Sequence, residues 1–216
     1  MFRDYPGKTI FTIFLKKWYQ PFEVVSKKSW KARLIQYRGF KSYAKYTMKP
    51  QLRFKKSEIG HLASRYEYQL SDAELVKLKP IVISRGHLTK NELEKIAKWK
   101  APRSSGHTRN NDKDYVTEIT RFAFASNHER VRIESLKLLD GVSWSTATVI
   151  LHFFHSDPYP ILDFRAIWSL SLEQPSQYTF NFWWTYVEFC RKLAKGARVD
   201  MRTLDKALWQ YSKENQ

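Results

Sequence analysis

Asp163 is the carboxylate in this chain whose surroundings most suggest chemistry. It follows a run, residues 138–151, in which the turn signal Asp140-Gly141 precedes an apolar pattern that predicts a helix from about Ser143. The first N–H groups of such a helix lack internal acceptors and attract an anion such as phosphate. Asp163 comes eighteen residues after Ser145 and opens a further predicted helix. A phosphate site followed at short range by an acid indicates chemistry on nucleic acid.

The same segment resembles the helix-hairpin-helix (HhH-GPD) DNA glycosylase superfamily over about residues 131–170. The matching positions are Gly141-Val142, Thr146-Ala147, Ile150-Leu151 and Pro160-Ile161-Leu162-Asp163. The mismatch-adenine branch is the most similar in these motifs, because it also has Ser before Thr-Ala. The resemblance implies a monomeric enzyme that turns a damaged, mismatched or modified base out of double-stranded DNA and hydrolyses its N-glycosidic bond.

By resemblance, Asp163 is the catalytic acid, stabilising positive charge on the sugar and handling water. The structural alternative is an ordinary helix N-cap, a position that Asp favours, and both roles can coexist. Ser145 stands where strand-cutting members carry a lysine, which implies a monofunctional enzyme without a lyase step. Neighbouring lysines, Lys137 or Lys100, could in principle substitute for it.

The resemblance also implies which residues hold the DNA and an ion. Ser143 replaces the family's second hairpin glycine and can cap the second helix, while Trp144 takes a place that is usually small or polar. A structural monovalent cation, Na⁺ or K⁺, would be held by the backbone carbonyls of Lys137, Leu139 and Val142. The expected DNA contacts are Gly141, Val142, Ser143, Trp144, Ser145, Thr146, Ala147, Arg165, Lys100 and Arg103.

Other polar residues give weaker signals. Glu92 and Glu118 are candidates for a second acid, although capping or helix-surface roles fit them better. His152 and His155 lie three apart beside Asp157, which favours packing or a solvated face over a metal site.

Charge divides the chain. Residues 1–56 hold 15 Lys and Arg against Asp4 and Glu23, so they carry +13 of the formal net charge of +17. Such a block predicts salt-dependent binding to a polyanion. With its interleaved aromatics it also leaves open RNA binding. The single cysteine, Cys190, excludes an intramolecular disulfide and a four-cysteine iron–sulfur cluster. We expect no membrane span and a cytoplasmic or nucleoid-associated protein.

These elements predict a mainly α, HhH-GPD-like core over residues 57–216, with a hairpin at about 131–155 and a basic N-terminal extension over residues 1–56. Capping boxes are predicted at Ser71–Glu74 and Thr89–Glu92. The first helix of the hairpin is predicted to end at Leu139, and Lys100 to Asp114 is predicted to be a loop. Asp114 is expected to cap a helix whose apolar face holds Val116, Ile119 and Ala123 and is widened by Phe122. Two later apolar stripes are predicted, one at Trp183, Val187, Cys190 and Ala194, and one at Leu204 and Leu208 in a helix capped by Asp200. A non-catalytic helix-hairpin-helix DNA-binding module remains the alternative function.

Overall fold

The computed structural model describes residues 49–68 and 71–216, and within these ranges the regular structure is entirely helical. The predicted mainly α class is therefore confirmed for this part of the chain. The α-helices are α1 (Ile59–Ser64), α2 (Ala73–Arg85), α3 (Lys90–Lys100), α4 (Lys113–Ala125), α5 (Glu129–Leu136), α6 (Trp144–Phe154), α7 (Phe164–Ser169), α8 (Phe180–Ala197) and α9 (Met201–Asn215). Two 3₁₀ turns, Lys56–Glu58 and Ser105–Asn110, join them. Most of the predicted N-terminal extension lies outside the described residues.

Helix α6 lies at the centre of the core. Its predicted apolar positions are all buried, and so are most of their neighbours on the same helix. Helices that touch it lie on several sides, including α2, α3 and α5. A helix that is apolar nearly all round must be enclosed in this way, because any exposed side would leave large apolar area in water. The fold thus holds the hairpin's second helix rigidly.

The apolar stripes predicted for α8 and α9 are confirmed. Trp183, Val187 and Cys190 of α8 are fully buried, as are Leu204 and Leu208 of α9. Burial also raises the pKa of the Cys190 thiol, so this sulfur stays protonated and unreactive. None of the described helices has both the length and the apolar character of a membrane span.

Helix starts were predicted with mixed success. The box at Thr89 and Glu92 forms both of its hydrogen bonds, and Asp200 caps α9 as expected. The box at Ser71 was wrong, because Asp72 takes the N-cap position and turns its carboxylate to Arg202 instead.

Helix α4 also begins and packs differently from the prediction. Asp112, rather than Asp114, is its N-cap and accepts from the N–H groups of Asp114 and Tyr115. Phe122 was expected to extend the buried face of this helix but is 55% exposed, and Thr120 is buried there instead.

Residues 49–56 already belong to the helical core. The N–H groups of Gln51 and Arg53 donate to the carbonyls of Leu170 and Ser169, at 2.9 and 3.0 Å. The Arg53 guanidinium lies over the Trp168 ring, 4.4 Å from its centroid. The core therefore starts before the predicted boundary at residue 57 and covers the end of α7.

Candidate active site

The hairpin forms where it was predicted, although its first helix ends at Leu136 rather than Leu139. Gly141 has φ +76°, a left-handed conformation that glycine adopts without strain. A Cβ at this position would lie 2.9 Å from both Cγ2 and the backbone N of Thr108. Glycine is therefore required twice over, by its dihedral angle and by the close approach of the 105–110 turn.

A side chain outside the hairpin holds its turn in place. The Asn111 amide accepts from the Asp140 N–H at 2.8 Å and donates to the Asp140 carbonyl at 2.9 Å. It also donates to the Thr108 carbonyl at 3.0 Å, and it is 4% exposed. The backbone N–H and C=O of Asp140 thus both have hydrogen-bond partners, and these bonds hold the turn without a bound ligand.

At the start of α6, Ser143 is exposed and Trp144 and Ser145 are half-buried, whereas Val142, Thr146 and Ala147 are buried. Ser143 takes the N-cap position with extended backbone, yet its hydroxyl caps no amide of the first turn. The side chains of Val142, Thr146 and Ala147 therefore do not reach DNA in this conformation, and the Ala147 N–H already donates to the Ser143 carbonyl at 2.9 Å. Trp144 packs 6.2 Å from the Trp183 ring, and the Lys137 ammonium lies 4.1 Å from the Trp144 ring centroid. Trp144 thus has a packing role and places one cation near the hairpin.

Hydroxyl groups on α6 attach the hairpin to the segment that leads into Asp163. The Ser145 hydroxyl donates to the Leu162 carbonyl at 2.8 Å, and the Leu162 N–H donates to the Thr148 hydroxyl at 2.9 Å. Tyr186 of α8 donates to the Ile161 carbonyl at 2.8 Å. Because these bonds hold the backbone on both sides of the segment, the position of the acid follows that of the hairpin.

The Asp163 carboxylate has two partners. Oδ1 accepts from the Arg165 N–H at 3.0 Å, which makes Asp163 the N-cap of α7. Oδ2 accepts from the Lys100 ammonium at 2.5 Å, and the two side chains are only 15% and 9% exposed. The cap predicted as the structural alternative is therefore present, together with a nearly buried ion pair that the sequence did not predict. Lys100 is the last residue of α3 rather than part of a loop.

Aromatic side chains cover this ion pair. Asp163 and Lys100 line a small recess together with Tyr66, Tyr68, Trp99, Ile161, Ala166, Asp205 and Trp209. Its volume of about 10 Å³ corresponds to a single water molecule, so it holds no base in this conformation. The Tyr68 ring lies 5.0 Å from that of Trp99 and 5.5 Å from that of Trp209. Burial raises the pKa of the Tyr68 phenol, which keeps it a neutral donor.

The remaining predicted side chains form no hydrogen bond or ion pair with the Asp163 carboxylate. Arg165 lies over the rings of Phe164 and Trp209, at 5.1 and 5.3 Å from their centroids, and does not pair with Asp163. Arg103 is exposed in the loop after α3. Glu92 caps its own helix and pairs with Arg85, while Glu118 pairs with Arg121 on the surface of α4. Neither glutamate lines the recess.

The second acid beside the recess is Asp205, which is not among the residues predicted from the sequence. It is 5% exposed, accepts from the Ile161 N–H at 3.2 Å and pairs with Arg202 at 2.6 Å. The available signal was an acid on the apolar face of α9, three residues after an arginine, because a buried charge needs a partner. Tyr66 and Tyr68 gave no such signal, since they lie in an irregular segment after α1.

His152 and His155 have packing roles. The Nδ1–H of His152 donates to the Tyr159 carbonyl at 2.6 Å, and the His155 Nδ1 accepts from the Asp157 N–H at 2.9 Å. Burial lowers the pKa of both imidazoles, so both are neutral at pH 7. In the part of the chain that is described, no group of three or more His, Cys, Asp or Glu side chains is arranged to hold a metal ion.

The expected monovalent-cation site lies at the same turn as Gly141. Of its three carbonyls, that of Leu139 accepts a hydrogen bond from the Val142 N–H at 3.0 Å. An ion would have to share this oxygen with the turn itself. The hairpin therefore keeps its shape through Asn111 and this bond, and the ion stays a prediction.

Comparison with known proteins assigns no family, because no protein-family model, no curated protein and no solved structure matches this chain.

Proposed function

We propose that the protein is a DNA N-glycosylase that acts as a monomer on double-stranded DNA and hydrolyses the bond between a turned-out base and its sugar. The proposal rests on one observation above the others. Ser145 and Thr148 of the hairpin's second helix hydrogen-bond directly to the backbone of Leu162, the residue before Asp163. A duplex whose phosphate is bound at the start of α6 would therefore be held at a fixed offset from the acid.

The proposed chemistry needs one carboxylate and one water molecule. As the C1′–N bond breaks, the base leaves with the bonding electrons and the sugar gains oxocarbenium character. An ionised Asp163 stabilises this charge and orients a water molecule, whose oxygen bonds to C1′ and whose proton completes the departing base. The Asp163 carboxylate accepts from the Arg165 N–H at the start of α7 and faces the Lys100 ammonium. Strand cutting by the hairpin residue has no part in this step, because a serine hydroxyl forms no imine.

The basic block of residues 1–56 would supply most of the affinity. Its charge of +13 exceeds the +4 of the remaining residues, and phosphate neutralisation binds DNA without regard to sequence. The hairpin would then provide placement rather than strength. A base reaching Asp163 would have to displace the rings of Tyr66, Tyr68 and Trp209, and those rings could stack on it once it entered.

The proposal is tested by comparing base release by the wild-type protein with base release by the Asp163→Asn variant. Wild-type protein is incubated with a panel of duplexes that carry different altered bases, and alkali then converts each base-free site into a strand break. We expect wild type to act on at least one duplex, and Asp163→Asn to release no base from it while keeping its duplex affinity. Asn is as good an N-cap as Asp, so the start of α7 should persist.

Two further variants make the result decisive. Asp112→Asn changes the N-cap of α4, a residue that does not line the recess, and should keep full activity. If loss of the Lys100 partner unfolds Asp163→Asn, the double variant Asp163→Asn/Lys100→Gln replaces the ion pair with two neutral amides. Full activity in a folded Asp163 variant would refute the catalytic role.

A second candidate, a non-catalytic DNA-binding module, is favoured by the closed recess. Both Asp163 oxygens have partners, and the space beside them admits only about one water molecule. Under this alternative Asp163 is structural, and the protein binds duplexes without releasing any base of the panel. Affinity without base release would therefore favour the module over the enzyme.

A further inference from the structure

A second cavity lies between α3 and the 105–110 turn, and we refer to it as the α3 groove. Its volume of about 350 Å³ is within the range of roughly 300–1,000 Å³ that is usual for ligand sites. None of its lining residues belongs to the recess at Asp163, so the two sites are distinct. The groove is lined by Asn91, Glu94, Lys95, Lys98, Ser105 and Arg109.

The two walls of the α3 groove are held together by the fold. The lining residues of α3 are spaced i, i+3, i+4 and i+7, so they lie on one face of the helix. The 105–110 turn packs against this helix, and the Lys90 ammonium donates to the Arg109 carbonyl at 2.7 Å. These contacts hold the shape of the groove without a bound ligand.

The α3 groove carries positive charge that its neighbours do not neutralise. Lys98 and Arg109 are exposed, and among the described residues no carboxylate pairs with either of them. Lys95 does pair with Glu74, but both side chains are about half exposed, and such a surface pair contributes little. An anion in the groove would therefore meet two unpaired cations and accept charge-assisted hydrogen bonds from them.

The charge and chemistry of the lining match a single phosphodiester. Three cations against the Glu94 carboxylate give the lining a net charge of +2, and the pairing of Lys95 with Glu74 lowers it to +1. A phosphodiester carries one negative charge, whereas a phosphate monoester such as a free nucleotide carries about 1.5–2 at pH 7. No described residue that lines the groove is aromatic, so it offers bases no ring to stack on. Its Lys, Arg and Asn side chains are instead of the kind that contacts phosphate oxygens.

We propose that the α3 groove binds a phosphodiester group of a DNA strand, at a site separate from the recess. This inference rests on the DNA binding of the proposed function but not on its base-releasing chemistry. The groove and the hairpin share the 105–110 turn, because Arg109 lines the groove while Thr108 packs on Gly141. A strand bound in the groove therefore holds the turn that supports the hairpin, and a second backbone contact fixes the register of the DNA.

Hydrogen exchange in the full-length protein tests whether the groove is occupied. The probe is a duplex without altered bases, and the peptide that spans residues 101–112 is followed by mass spectrometry. We expect the duplex to slow exchange in this peptide of the wild-type protein. Lys98→Gln/Arg109→Gln should lose this protection, and the log–log slope of duplex affinity against salt should fall by about 0.9, the value for one phosphate contact.

A charge-matched variant controls for general electrostatic attraction. Lys77→Gln/Lys79→Gln also removes two exposed cations, but these lie on α2 and do not line the groove. This variant should keep both the protection and the salt slope of the wild-type protein. Equal losses in the two double variants would overturn the proposal, and so would protection that persists in Lys98→Gln/Arg109→Gln.

A free nucleotide is the other source of the same phosphate chemistry, and dAMP is the probe for it. We expect dAMP to protect the 101–112 peptide less than the duplex does. Protection by dAMP alone would overturn the assignment to a strand. The outcome is separable from that of base release, because an unaltered duplex tests binding only. Loss of the groove would leave the comparison of wild type with Asp163→Asn standing, and failure of base release would leave the exchange result standing.

Discussion

Gly141→Ala tests the hairpin turn most sharply, because the chain contains a matched control. Gly141 and Gly86 both have φ +76°, so alanine suffers the same backbone strain at either position, roughly 1–2 kcal/mol. The effect of alanine on the unfolded chain is also common to both. They differ in space, since a Cβ at Gly86 meets nothing within 4 Å, whereas one at Gly141 meets Thr108 at 2.9 Å.

The difference between the two variants therefore reports the close contacts at Gly141, which are two atoms of Thr108 at 2.9 Å and the Cβ of His107 at 3.2 Å. Overpacking of this kind costs roughly 1–3 kcal/mol, and one of the two close atoms is backbone, which cannot rotate away. For a chain of this size each kcal/mol lowers Tm by about 2–4 °C. Gly141→Ala should thus melt below Gly86→Ala by at least a few degrees.

Thermal unfolding by circular dichroism measures this difference, and fluorescence anisotropy with a labelled duplex measures its functional consequence. The Gly141 variant should also bind the duplex more weakly, because its hairpin turn shifts against the 105–110 turn. Equal melting temperatures for the two variants would show that Thr108 and His107 move away at no cost, and the packing argument for Gly141 would be wrong.

Three further predictions concern the acid's segment, pH and salt. Ser145→Ala removes the hydrogen bond to the Leu162 carbonyl, so the free energy of unfolding measured by chemical denaturation should fall by about 1 kcal/mol. Base release should also become slower, while the affinity for the duplex stays the same. An unchanged rate of release would mean that this bond does not position the acid. Burial lowers the pKa of His152 below its ordinary 6.5, so stability present above pH 6.5 should be lost as pH falls, by at most about 1.4 kcal/mol per unit. His152→Asn should flatten this dependence in part, with the remainder from His155, and an unaltered pH profile would contradict the assignment. Duplex affinity should fall steeply with salt, and Lys27→Gln/Lys28→Gln should reduce the log–log slope by up to about 2; an unchanged slope would place the phosphate contacts elsewhere.

Local pattern was enough to predict the hairpin. Gly141 predicted the turn and the apolar spacing of α6 predicted the second helix, because both features depend on residues that are neighbours in the sequence. The cap at Asp163 followed from the same kind of information. The hydrogen-bond partner of Ser145 could not be predicted in this way, because a hydroxyl in the first turn of a helix has several possible acceptors.

The ion pair at the acid could not be predicted from local pattern. Lys100 was expected in a polar loop, where lysine is ordinary, and its burial depends on α3 packing against α6. The capping box predicted at Ser71–Glu74 is likewise absent, because Asp72 takes the N-cap position and its carboxylate pairs with the distant Arg202. In both cases two charged side chains that are far apart in the sequence are brought together by the tertiary structure. Local sequence spacing therefore could not predict these pairs.

The closed recess at Asp163 sets a lower limit on the size of a productive substrate, if the proposed function is correct. Displacing the rings of Tyr66, Tyr68 and Trp209 costs free energy. A free nucleoside has only a small contact area, so its binding energy offsets little of that cost. A duplex brings phosphate contacts at the hairpin and along the basic block, and that remote binding energy can open the recess. The same closure that makes the acid look structural would then confine its chemistry to polymeric DNA, and would protect the cellular nucleotide pool from hydrolysis.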